Sequence, residues 1–377
     1  MFPLLVIRRR PLQRGGQLAL LCCQFHTKSH VLRSTAYALD AEEASQAPDL
    51  VENRLRLSTC GALYQEWRKA RRQYRDAPTD GIEVDVDFVC SAMSADQSSF
   101  VETGRPLAVL LHGAPGSYRD FSENLTPRLM GRGVDVLAPN FPDMSFSLRN
   151  KFYWHTVEER TALLRDFFKT LGVRRIDTLV SHSASIYPSL RLLVENGDAP
   201  KIDSLVLLAP NSHVTPALLK PLWMTECMIQ AYRFPVLRPL VSTLVLFMIH
   251  SGIMPVKPVV QDIVLSLTTY MWSGFNKGGE RLLEAVARKQ IPTVVAISEN
   301  DRLLSYDVLM AVCTVLGASP EDLWRYNKEG QLLATGTSEN WLKVLSFENG
   351  THYPFVRHPD ICADEIVQLL QRIGALR

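Results

Sequence analysis

Apolar and polar positions change period several times along the chain, and the changes mark its elements. In "IEVDVDFV" (82–89) every second residue is apolar, which puts Ile82, Val84, Val86 and Phe88 on one face of a half-buried strand. "PLAVLLHG" (106–113) is apolar throughout, as expected of a strand covered by helices on both faces. A repeating rhythm follows: helix in "RDFSENLTPRLMGRG", strand in "VDVLAPN", helix in "VEERTALLRDFFKTLG", strand in "RIDTLVSH", helix in "ASIYPSLRLLVENG", strand in "IDSLVLLAP". It resumes with the strand "PTVVAIS" (292–298), a helix near "DVLMAVCTVLG", the strand "WLKVLSF" (341–347) and a closing helix "DICADEIVQLLQRI". Short apolar strands alternating with helices imply right-handed crossovers and a mostly parallel central sheet with helices on both faces, an α/β architecture.

Two regions break the rhythm. Residues 50–75 read as helical and end in "EWRKARRQYR", a basic stretch with Trp67 and Tyr74 interleaved. A solvated helix face is the first reading and a membrane-surface helix the second. Residues 211–290 show no strand pattern and are rich in Leu, Met, aromatics and proline, so they read as a mostly helical insertion. Their most apolar part, 239–256, would reach about 27 Å as a straight helix, near the roughly 30 Å of a hydrocarbon core. Pro239, His250, Ser251, Gly252 and Pro255 argue against a clean span. A buried or substrate-facing lid helix leads, ahead of peripheral membrane contact.

Charge narrows the partners. With 41 basic and 39 acidic residues, a net charge of +2 gives no global pull toward nucleic acid, and none is expected as a partner. Seven scattered cysteines without a C-x-x-C pair fit a reducing compartment. The first acidic residue is Asp40, and the stretch before it mixes Arg8, Arg9, Arg10, Arg14, Lys28 and Arg33 with apolar and hydroxyl residues. An acid-free, arginine-rich, apolar segment is what a mitochondrial transit peptide needs, so residues 1–35 are read as one, with a cytoplasmic or membrane-associated protein as the alternative. The predicted organisation is then a helical extension at 36–80, a first core part at 81–210, the insertion at 211–290 and a second core part at 291–377.

In an open parallel sheet, reactive groups collect where the strands end and the loops converge. Three such ends carry suitable types: Ser183 after "DTLV", Asp301 after "PTVVAIS" and His352 after "WLKVLSF". Other chemistries find no support. "GAPGSYRD" lacks the phosphate-loop spacing and its lysine, and no H-E-x-x-H occurs, so neither cofactor nor metal is expected.

Four stretches, "LHGAPGS" (111–117), "SHSAS" (181–185), "ISENDRLLS" (297–305) and "FENGTHYPFVRHPD" (347–360), follow one another, the last three around Ser183, Asp301 and His352. With them the chain resembles the α/β-hydrolase superfamily over roughly residues 80–377, with 211–290 in the place of its variable cap. "NFPDMSFS" (140–147) resembles the family's loop after the next strand with its glycines replaced. The resemblance implies Ser183 as nucleophile, His352 as base and then acid, and Asp301 as orienter. It also implies an oxyanion site from the N–H groups of Ala114 and Ala184 beside Gly113. Among the competitors, His358 precedes Pro359 at a helix start, Glu299 sits off the acid's offset, His112 shapes its turn and His182 packs. The departure lies at the turn around Ser183, where the family usually has glycine two residues before and after and this chain has Ser181 and Ser185. The expected function is a serine hydrolase acting on a small apolar or lipid-like ester, thioester or related acyl substrate; acyl transfer would use the same groups. The alternative is a catalytically silent relative that binds an apolar ligand or a protein.

Overall fold

The computed structural model describes residues 50–93, 99–195, 197–216, 219–251, 259–272, 278–336 and 341–376, all within one compact unit, Glu42–Arg377. The expected targeting segment, 1–35, lies outside the described residues, as does 36–49 of the expected helical extension.

The first described element corrects the helical reading of 50–75. Val51–Thr59 is a strand, β1, paired antiparallel along its whole length with β2 (Ile82–Cys90), from Val51 opposite Cys90 to Thr59 opposite Ile82. Its sequence alternates: Leu57 and Thr59 are buried, whereas Glu52, Arg54, Arg56 and Ser58 are exposed. A period of two serves a strand and scatters the same residues around a helix. Only α1 (Gly61–Ala70) and a 3-10 turn at Arg72–Tyr74 are helical. Trp67 and Tyr74, the aromatics of the basic stretch, are core residues that pack with Tyr64 and Tyr153. Arg68, Lys69 and Arg72 stay exposed.

Downstream come β3 (Leu107–Leu111), α2 (Arg119–Ser122), α3 (Leu125–Met130), β4 (Asp135–Pro139), α4 (Met144–Arg149), α5 (Val157–Leu171), β5 (Arg175–Ile176), β6 (Thr178–His182), α6 (Ile186–Val194), β7 (Lys201–Ile202) and β8 (Leu205–Leu208). The insertion supplies α7 (Leu222–Arg233), α8 (Arg238–His250), α9 (Val260–Met271) and α10 (Gly279–Lys289). The chain then returns to the sheet with β9 (Thr293–Ser298), α11 (Tyr306–Val315), β10 (Leu323–Tyr326), β11 (Leu332–Ala334), β12 (Leu342–Phe347), α12 (Pro354–Arg357) and α13 (Pro359–Arg372).

Ten strands form one sheet in the order β1-β2-β4-β3-β6-β8-β9-β12-β10-β11, while β5 and β7 pair separately. From β4 to β10 the neighbours run parallel, and the two edges are antiparallel. The central strands β3, β4, β6, β8 and β9 are buried at every position, as continuous apolar runs require. One apolar layer joins the sheet to α5, α6, α10 and α11, and a second joins its other face to α2, α3 and α13.

The insertion needs a boundary correction. Its own core, including Ile229, Tyr232, Val245 and Val264, is built by α7, α8 and α9 with Met144 of α4. Leu283 and Val286 of α10 instead belong to the main core, where α10 packs on α6 and α11. The cap is therefore α7–α9, and α10 closes the sheet's helical layer. Among the described residues no helix is long and apolar enough to cross a membrane.

Candidate active site

Ser183 follows the last residue of β6 and opens a 3-10 turn, Ser183–Ser185, that leads straight into α6. Its φ is 51°, the left-handed region that a non-glycine residue enters at a cost of about 1–3 kcal/mol. The turn is held from several sides. The Ser183 carbonyl accepts from Asn211 N–H at 3.1 Å, and Gly113 passes so close that a Cβ there would lie 3.0 Å from that of Ser183. Only glycine lets the two loops approach to this distance.

Asp301 stands three residues beyond β9, and His352 five beyond β12. Asp301 Oδ1 accepts from the N–H of Leu303 (2.8 Å) and Leu304 (3.0 Å), which leaves Oδ2 aimed at His352 Nδ1, 2.7 Å away. A carboxylate only accepts, so Nδ1 carries the hydrogen and Nε2 is left to accept from Ser183 Oγ at 2.9 Å. The three predicted strand-end residues thus form one hydrogen-bonded chain, with Ser183, Asp301 and His352 only 2, 8 and 7 % exposed. Burial alone raises the Asp301 carboxyl; the hydrogen bond and charge of His352, with the two N–H donors, outweigh it and hold the group below its ordinary range.

The base and acid loops are tied to each other. Asn300 accepts from Thr351 N–H at 2.8 Å and donates to Asn349 at 2.8 Å. Thr351, at φ 56°, makes the sharp turn that delivers His352. The competing groups are engaged elsewhere. Glu299 pairs with Arg325 at 3.1 Å, and His358 stacks on Phe347 at 4.7 Å. His112 accepts Phe141 N–H on Nε2 (2.9 Å) and donates from Nδ1 to the Gly113 carbonyl (2.7 Å), while His182 donates from Nε2 to the His352 carbonyl (2.9 Å). Burial drives both imidazoles down to about 3, so both are neutral.

The two serines in glycine places differ. Ser185 Oγ donates to the His112 carbonyl and accepts from Arg160 Nη2 at 3.1 Å, so its hydroxyl links the turn to the loop of Ala114. Ser181 Oγ is buried with no partner among the described residues.

Three contributors escaped the sequence reading. Arg160 of α5 is buried, donates to the Ala184 carbonyl (2.8 Å) and to Ser185, and lies 4.0 Å over the Phe141 ring. Burial lowers it to about 10, so it is a cation at neutral pH. Its signal was an arginine inside the apolar stripe Val157, Thr161, Leu164, Phe168. Tyr270 of α9 brings its hydroxyl 3.4 Å from Ser183 Oγ, and Ser266, one turn earlier, donates to the Ala114 carbonyl at 2.8 Å. Hydroxyls four apart, and so on one face of the helix, were that signal. Burial raises the Tyr270 phenol well above its ordinary range, so it remains a neutral donor.

Comparison with known proteins follows this geometry. Among the solved structures, a thermophilic esterase from Thermogutta terrifontis is 13% identical with a TM-score of 0.51, over 85% of this chain and 99% of that one. A carboxylesterase from Bacillus subtilis is 12% identical with a TM-score of 0.46, over 87% and 94%. A bromoperoxidase from Bacillus anthracis is 14% identical with a TM-score of 0.48, over 77% and 96%. At such identities the likeness speaks for the fold alone. No curated protein sequence matches the chain. Residues 108–365, from within β3 to within α13, match the alpha/beta hydrolase family, and the chain belongs to that family.

Proposed function

We propose that this chain is a serine hydrolase of an ester, thioester or related acyl bond. The observation that carries the reading is Ser183 at φ 51°, with Oγ 2.9 Å from His352 Nε2 and His352 Nδ1 2.7 Å from Asp301. Ser183 Oγ adds to the acyl carbon as its proton passes to His352 Nε2, and ionised Asp301 stabilises the imidazolium. The oxyanion so formed takes the N–H groups of Ala114 and Ala184, each such donor being worth about 3 kcal/mol in the transition state. His352 then protonates the leaving alcohol or thiol as the tetrahedral centre collapses to an acyl-Ser183. A water that gives its proton to His352 releases the acid and restores Ser183. An alcohol in place of water would make the same site an acyltransferase.

The cap sets the substrate class in this reading. Its core is apolar, and the helix that reaches Ser183 through Tyr270 carries Leu267 and Val264 in that core, so a small apolar or lipid-like acyl group is favoured. Burial of Ser183 beneath Tyr270 favours the second reading, a silent binder of an apolar ligand. A fluorophosphonate probe separates the two. Labelling at Ser183 that is abolished in Ser183→Ala, followed by turnover of esters and thioesters of graded length, is expected. A folded protein that neither takes the probe nor loses turnover in the variant would falsify the hydrolase reading.

A further inference from the structure

Fourteen large apolar side chains are exposed among the described residues, and eight of them lie between Trp223 and Phe247. Three of the eight are on helix α8 and the other five on α7 and the turn between them. Val241 and Val245 point into the cap core, 6 and 0 % exposed, while Leu240, Leu244 and Phe247 project the other way at 69, 51 and 64 %. A helix apolar on both faces has its outer stripe without a protein partner, unlike a surface helix that meets water with polar residues. Trp223 (68 %), Phe234 (61 %) and Val236 (88 %) extend the same apolar exposure through α7 and the turn after it.

The edge of this face is basic. Between residues 219 and 250 the acidic residue is Glu226, against Lys220, Arg233 and Arg238. Arg233, at the end of α7, lies 3.8 Å over Trp154 and donates to the carbonyls of Tyr153, Ser147 and Lys151 at 3.1 Å, which leaves exposed Lys220 and half-buried Arg238 as the charges of this edge. Lys151 in turn sits 4.7 Å over Phe152, which packs 6.4 Å from Tyr74. Arg68, Lys69 and Arg72 are exposed on α1 and the 3-10 turn, whose Trp67 and Tyr74 share a cluster with Phe152 and Trp154.

We propose that the outer face of the cap, centred on α8, docks on an anionic lipid bilayer and lies in its interface. Apolar side chains would enter the acyl boundary while the basic edge meets the headgroups. Helix α8 has 13 residues, too few to cross a bilayer that needs about 20, so it lies along the surface. A second copy of the chain is the competing occupant, and it would show itself as a dimer. The inference does not depend on the hydrolase reading, since no residue of the Ser183 site takes part.

The test is co-sedimentation of the full chain with vesicles of phosphatidylcholine alone or mixed with phosphatidylserine. Binding to the mixed vesicles, about tenfold or more weaker to phosphatidylcholine and weakened by salt, is expected. Leu240→Ser with Phe247→Ser is expected to reduce binding about tenfold or more at unchanged melting temperature. The basic N-terminal stretch is present in both proteins, so equal binding by the variant overturns the proposal. Failure of the folded wild type to bind overturns it too, as does a dimer in light scattering that the same two substitutions dissolve. Ser183→Ala is expected to bind like wild type, which keeps the outcome separate from that of the catalytic test.

Discussion

Ser183 Oγ has one neighbour from the sheet and one from the cap, and the two are held differently. His352, at 2.9 Å, ends a chain in which Asp301 is fixed by two backbone donors and the His352 loop is tied to Asn300. Tyr270, at 3.4 Å, lies beyond the usual range for a hydroxyl pair, and its helix is linked to the loop below through Ser266. The core therefore holds its partner from several sides, whereas the cap supplies a longer and less constrained contact. The flanking serines repeat the lesson within the core: Ser185 gained two partners for its hydroxyl and Ser181 gained none among the described residues. A serine at a turn that usually carries glycine is accommodated where a neighbouring loop and a buried cation use its oxygen.

The sharpest break on the sheet side is Ser183→Ala. Turnover is expected to fall about 10⁴-fold or more, with the melting temperature nearly unchanged. Next is Arg160→Met, which leaves the Ala184 carbonyl and the Ser185 hydroxyl short of a buried donor. A loss of about 2–4 kcal/mol in denaturant unfolding is expected, with Arg160→Lys recovering part of it because an ammonium cannot span both acceptors. Ser185→Gly made in the Arg160→Met background should cost less than the same change in wild type, and equal costs would show that the two groups are not coupled.

Acid tests the core in another way. Burial, aided by nearby positive groups, holds His112, His155 and His182 down at about 3, against an ordinary 6.5. The unfolded chain binds more protons than the folded one between these values, so stability falls as pH drops from about 6.5 to 3, by about 1.4 kcal/mol per pH unit for each group. Asp301 acts in the same sense at the acid end: its stabilisation is present above the unfolded carboxyl value and lost as pH falls through the folded one. Glu159, raised by burial to about 7, has the opposite sign, costing stability as pH rises from its ordinary 4.5 toward 7. His155→Asn suits the positive φ of 54° at that position and removes one titrating group. Urea unfolding at several pH values is expected to show a slope about 1.4 kcal/mol per pH unit shallower between 3 and 6.5.

The smallest effect belongs to the cap. Tyr270→Phe is expected to leave stability within about 1 kcal/mol. Freed of a weak hydroxyl neighbour, Ser183 should take a small fluorophosphonate a few times faster; a marked slowing would recast Tyr270 as a donor to the reacting oxygen.

The succession of central strands along the chain, the apolar middle of the sheet and the three strand-end residues were legible in the chain, because buried parallel strands are continuous apolar runs and each candidate residue sits just beyond one. Short edge strands were not. β11 is three apolar residues, Leu332–Ala334, exposed along their length, and β10 has four residues, so both are too short for their pattern to mark a strand. β1 shows its period of two only across charged residues, and antiparallel pairing with β2 decided its conformation. The reach from Arg160 to Ser185 and from Tyr270 to Ser183 was decided by packing, since these pairs are separated by 25 and 87 residues. Local pattern records what a residue does within its own helix or strand. Which hydroxyl meets which cation, and which apolar stripe of α8 finds a core and which is left outside, is settled only when the helices dock.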